Sequence, residues 1–179
     1  MINTIFLPRL RRQRLIIFDP HAEYHAEWIT RADSLEELQD FLADYKDQGP
    51  FAVCWTPGHS DEVIYFSQLV YAMRDLWLIF EEVNMRGVGN VREPAPEFID
   101  LVNFGRNRGI SLICTAKRAA QVSRDLTSQA DLIISFRQDE PNDIKYLSEF
   151  CGPQVEDRVT SLRKHDWEIV YPPDPYGKA

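Results

Sequence analysis

Leu76-Trp77-Leu78-Ile79-Phe80-Glu81-Glu82 is a run of five apolar residues leading straight into two acids. A strand with one wet face alternates apolar and polar residues. An unbroken apolar run of this length suits a strand covered on both faces, and such strands build parallel sheets flanked by helices. The same form recurs at residues 15–18 (LIIF), 51–55 (FAVCW), 110–114 (ISLIC) and 132–136 (LIISF). Strands are therefore expected near 14–19, 51–55, 76–81, 110–115 and 132–136.

The segments between these runs carry helical spacing. Ser34 is an N-cap followed three residues later by Glu37, and Leu35, Leu38, Phe41 and Leu42 then form one apolar stripe. Residues 61–74, 96–107 and 141–150 read as further helices, with Gly109 placed to end the second of these. A short helix and a strand at 167–171 follow. Strands alternating with helices predict right-handed crossovers and a three-layer α/β sandwich around a mainly parallel sheet. No repeat or linker divides the chain, so residues 1–179 read as one domain with an atypical N-terminal segment (1–13) and an extended, proline-rich tail (172–179).

The 179 residues carry a formal charge of −8, which disfavours a protein that coats nucleic acid by itself and still permits a basic lining inside a ring. Cys54, Cys114 and Cys151 are odd in number and far apart, fitting neither a disulfide framework nor a metal knuckle; they read as reduced, mostly buried thiols. The N-terminus has a short apolar run before its arginines, the reverse of a signal peptide, and no segment approaches a membrane span. A cytoplasmic location is expected.

Ligands of open α/β sheets gather outside the carboxyl ends of the strands. Those ends here read Asp19-Pro20-His21, Thr56-Pro57-Gly58-His59, Glu81-Glu82, Thr115-Ala116-Lys117-Arg118 and Arg137-Gln138-Asp139. An apolar strand ending in two acids is the form of a Walker B motif, in which the first acid holds Mg²⁺ and the second polarises the attacking water. The plain alternative is two solvated acids opening a loop. His21, Glu23, His25 and Glu27 make an HxExHxE string, but the spacing is not that of a helical metal site and the string reads as a solvated loop.

Taken in order, residues 76–82 (LWLIFEE), 103–118 (NFGRNRGISLICTAKR) and 126–137 (LTSQADLIISFR), with 16–24 (IIFDPHAEY) upstream, resemble the FtsK/HerA group of P-loop ATPases, which includes viral packaging and Zot-like assembly ATPases. The resemblance implies a RecA/FtsK-like core, ATP with Mg²⁺ as cofactor, and a ring of like subunits or other assembly proteins acting on nucleic acid. It places Glu81 at the metal-associated position, Glu82 at the catalytic one, and Lys117 where a polar sensor of the γ-phosphate stands. Arg106 or Arg108 would serve as a finger across a ring interface, as would Arg137. Asp19, Arg118 and Arg137 would lie toward the nucleotide.

Three departures weigh against hydrolysis. Glu81 stands where the family has Asp, Lys117 cannot accept a hydrogen bond from water, and no GxxxxGK[ST] string occurs among the 179 residues. Residues 4–10 look like the tail of the helix that would follow such a loop. The implied function is an ATPase-fold subunit of a packaging, translocation or virion-assembly machine, impaired in hydrolysis. The alternatives are a non-catalytic protein using this fold as a docking surface and, third, a metal-dependent hydrolase working through Glu81, Glu82 and the His21 segment. In the family the strand before the phosphate loop lies between the strands here at 110–115 and 132–136. Without it, those two should close up or residues 2–7 should slip between them.

Overall fold

The computed structural model describes residues 1–46, 48–59, 61–85 and 88–171. The tail expected at 172–179 lies outside them. Five strands form one sheet in the order β2-β3-β1-β4-β5: β1 (Arg14–Phe18), β2 (Thr30–Ala32), β3 (Phe51–Trp55), β4 (Leu76–Phe80) and β5 (Ile110–Cys114). Every pairing is parallel. The apolar runs thus became strands for the reason their pattern gives: β3 is buried at every position, and β1 at all but its first residue.

Helices α2 (Leu35–Tyr45), α3 (Glu62–Ala72) and α4 (Pro96–Phe104) cover one face. Ser34 caps α2 as its sequence requires, its hydroxyl accepting from the Glu37 amide at 3.1 Å. Phe18, Trp55, Phe66, Phe80 and Phe98 fill this layer and are all but fully buried. Phe18 stacks on Phe80 with 4.1 Å between ring centroids; burying each such ring contributes about 1.5–3 kcal/mol. The other face, with Leu15, Ile17, Ala52, Cys54 and Ile79, is covered by a π-helical stretch, Ile2–Phe6, that continues as α1 (Leu7–Leu10).

The chain then passes α5 (Arg124–Gln129), β6 (Ile133–Phe136), α6 (Pro141–Cys151), α7 (Val155–Thr160) and β7 (Trp167–Tyr171). Here the structure corrects an expectation. β6 does not join the main sheet; it pairs antiparallel with β7 in a two-stranded ribbon. Neither alternative for the neighbouring gap is realised, because residues 2–10 are helical and β5 and β6 stay apart. The cause is packing: Ile133 and Val170 anchor the ribbon on Leu147, Cys151, Val155 and Val159 of α6 and α7, a cluster separate from the main core. Of the three cysteines, Cys54 and Cys151 are buried and Cys114 is exposed. Among the described residues no helix is long and apolar enough to cross a membrane.

Candidate functional site at the carboxyl edge of the sheet

Parallel pairing brings the carboxyl ends of β1, β4 and β5 to one edge, about 4.8 Å apart from strand to strand. Glu81 and Glu82 follow β4 there, and Lys117 follows β5. The Lys117 ammonium lies 2.9 Å from Glu82 Oε1, and His21 Nε2, from the loop after β1, lies 3.6 Å from the same oxygen. The Glu82 side chain is only 14% exposed, whereas Lys117 is 69% exposed. The carboxylate raises the Lys117 pKa by hydrogen bond and by charge.

Glu82 is also held in an unusual backbone state. Its φ is +57°, a left-handed value that costs a non-glycine residue about 1–3 kcal/mol. Thr115 fixes it, its hydroxyl accepting from the Glu82 amide at 3.1 Å and its carbonyl from the Val83 amide at 2.9 Å. Adjacent residues at the end of a strand point to opposite sides, and the two acids accordingly meet different partners.

Glu81 points to those other surroundings. The Tyr24 hydroxyl donates to Glu81 Oε1 at 2.6 Å. Burial raises the Glu81 pKa, and the Tyr24 hydrogen bond partly opposes that rise; the same burial and the carboxylate raise the Tyr24 phenol. Asp19, fully buried, builds the loop beneath. It accepts from the amides of Glu23 and Tyr24 at 2.9 and 3.1 Å and faces Arg31 Nη2 at 3.4 Å. Arg31 in turn donates to Thr56 Oγ1 and the Tyr24 carbonyl.

Of the remaining sequence candidates, Asp19 and Arg118 follow β1 and β5 at this edge but are engaged by other residues, Arg106 and Arg108 precede β5, and Arg137 follows β6 outside the main sheet. Arg106 forms an exposed pair with Asp131, and Arg108 stacks over Tyr71 with 4.3 Å to the ring centroid, both at the amino end of β5. Arg118 is engaged by Asp143 at 2.7 Å and Glu140 at 3.0 Å, and Arg137 by Asp139. Asp19 is fully buried and held by the Glu23 and Tyr24 amides and by Arg31. Among the described residues no cluster of three or more potential ligands forms a metal site, so the HxExHxE string makes no metal site there. Nothing in the sequence marks Arg31, and Tyr24 is marked only by its place in the 16–24 stretch that carries the resemblance, whereas the third alternative already sets the His21 segment beside Glu81 and Glu82.

A parallel sheet covered on both faces, with acids at the end of an inner strand and a cation on its neighbour, is the architecture of a P-loop NTPase-like fold. Solved structures share it. The chain is similar to the genome packaging NTPase B204 from Sulfolobus turreted icosahedral virus 2 in complex with AMPPCP, with a TM-score of 0.75 and 22% identity over 94% of this chain and 83% of that one. The complex of that protein with ATP-gammaS gives 0.73 and 23% over 94% and 82%. B204, the DNA-packaging ATPase from Sulfolobus turreted icosahedral virus, gives 0.58 and 18% over 88% and 91%. At these identities what is shared is the fold. No protein-family model matches the chain, and no curated protein does.

Proposed function

We propose that this chain is the ATPase-fold subunit of a genome-packaging or related assembly machine, with the Glu81, Glu82 and Lys117 edge facing the terminal phosphate and its Mg²⁺. The observation that carries the reading is the convergence of a shielded carboxylate and an exposed ammonium on neighbouring strand ends, 2.9 Å apart, in a fold whose solved examples hold ATP analogues. The donor set fits the metal-and-phosphate end of such a ligand. Lys117 is exposed enough to swing from Glu82 to a phosphate oxygen as a charge-assisted donor, and that exchange would free Glu82 to accept a proton from water. Glu81 would approach the metal through the oxygen that Tyr24 does not engage. Bound Mg²⁺ would neutralise developing phosphate charge.

The cradle of backbone amides has no string to supply it in these 179 residues, so hydrolysis by the chain as it stands is impaired. Arg106 or Arg108, at the far end of its own sheet, would meet a nucleotide only across a subunit interface, and the same holds for Arg137. Sedimentation of the chain with duplex DNA at low and moderate salt tests the packaging role. A ring-sized, DNA-bound oligomer that dissociates as salt rises is expected. A monomer indifferent to DNA at every salt concentration would favour the docking protein instead.

A further inference from the structure

The parallel sheet separates charge as well as strand ends. Asp19, Glu23, Glu81 and Glu82 follow β1 and β4 at the carboxyl edge, whereas the amino ends of β3, β1 and β4 carry cations. Residues 9–14 read RLRRQR and run from the last turn of α1 into β1. Lys46 follows α2 on the way to β3, and Arg74 lies between α3 and β4. Register brings these segments together. Arg14 is level with Phe51 of β3 and Leu15 with Trp77 of β4, so the three strand starts lie side by side, about 10 Å from first to third. The Arg14 guanidinium joins two of the segments directly, donating to the Lys46 carbonyl at 3.0 Å.

Among the described residues none of Arg9, Arg11, Arg12, Arg14, Lys46 and Arg74 forms an ion pair. Elsewhere Arg31, Arg106, Arg118, Arg124, Arg137 and Arg158 each hold a carboxylate. Arg9 donates to the Ile5 carbonyl, and Arg14 lies over the Phe51 ring at 5.4 Å from its centroid; both contacts fix a side chain and leave its charge unneutralised. Asp75, next to Arg74, lies against Gly109 instead. Arg11, Arg12, Lys46 and Arg74 are exposed. In a chain of net charge −8, like charges left side by side at one edge repel one another, and a polyanion lying across them removes that repulsion.

The side chains select the polyanion. Five of the six cations are arginines, whose planar guanidinium donates to two phosphate oxygens at once. Protein interfaces deplete charge at their centre and anchor on aromatic rings, and single-stranded nucleic acid is held by rings on which bases stack. Here Phe51, the ring beneath Arg14, is buried. A duplex needs no ring, since it presents one phosphate charge per ~1.7 Å of its axis. We propose that the amino edge of the sheet, centred on Arg11 and Arg12 with Lys46 and Arg74 beside them, is a contact surface for the phosphate backbone of duplex nucleic acid. It lies at the opposite end of the strands from Glu81, Glu82 and Lys117, so polymer and nucleotide do not compete for one edge. The surface rests on charge placement, and on the packaging reading for the identity of the polymer.

The test is the fluorescence anisotropy of a labelled duplex titrated with the 179-residue chain between about 50 and about 200 mM salt. Arg11→Gln combined with Arg12→Gln removes two exposed charges. Binding should weaken at least about tenfold at the lowest salt, and the slope of log affinity against log salt should fall by about two, because each lost phosphate contact contributes about 0.9. Arg163→Gln combined with Lys164→Gln, an exposed pair between α7 and β7, should leave both quantities unchanged. Equal losses in the two double variants would show an effect of net charge alone and overturn the surface, as would a parent chain that binds no duplex at any salt. Self-association of the parent that the first variant abolishes, with duplex binding untouched, would show the acidic edge of a second copy as the partner and overturn it as well. A ring-sized, DNA-bound oligomer that the first variant leaves intact would overturn the surface and keep the packaging reading. Salt-sensitive binding by a monomer, lost in that variant, would keep the surface and remove the ring.

Discussion

Glu81 and Glu82 are neighbours in sequence with opposite partners, a phenol on one and an ammonium on the other. For Glu81 the consequence is a testable pH dependence. Its folded pKa is raised above the ordinary 4.5, mainly by burial, so the folded state holds its proton more tightly than the unfolded chain does. Stability from this group is therefore full below about pH 4.5 and falls as pH rises toward the raised folded value. Glu81→Gln removes that penalty. Its thermal midpoint relative to the parent should improve from pH 4 to pH 7, and a difference that does not change with pH would contradict the assignment.

At the scale of elements, the turn into β5 is the most constrained. Gly109 has φ +71°, and a Cβ there would lie 2.3 Å from Asp75 Oδ1 and 3.2 Å from the Asp75 Cα. Gly109→Ala should cost more than about 1 kcal/mol in denaturant unfolding, whereas Gly49→Ala, with nothing within 4 Å of the added atom, should stay within about 0.5 kcal/mol. Equal effects would mean that the turn is not the constraint. Much of this level was legible in advance. Continuous apolar runs marked β1, β3, β4 and β5, and Ser34 with Glu37 marked the start of α2, because burial on both faces and cap chemistry are local in cause. β2 was not legible, since three residues of which only Ala32 is buried leave no pattern. Nor was the pairing of β6. Its run resembles that of β5, and only the distant Trp167–Tyr171 strand and the α6–α7 cluster determine where it sits.

For the whole molecule, the carboxyl edge was legible as a set of candidate residues but not as an arrangement. The sequence placed Glu82 and Lys117 after neighbouring strands, and the structure brings them into contact. It could not show that Thr115 would hold Glu82 at a positive φ, that Tyr24 would take Glu81, or that Arg118 and Arg137 would be neutralised by their own acids, because these depend on loops whose course tertiary packing sets. On the function proposed above, this is an ATPase-type edge with no phosphate-cradling string in these 179 residues. Calorimetric titration of the 179-residue chain with ATP and Mg²⁺ tests it most directly. The acids repel a triphosphate without the metal, and Lys117 supplies a single charge-assisted contact, so binding no tighter than about millimolar, or about 4 kcal/mol, is expected. Micromolar affinity, or ATP turnover that Glu82→Gln abolishes, would contradict the account and show a complete phosphate site within this chain.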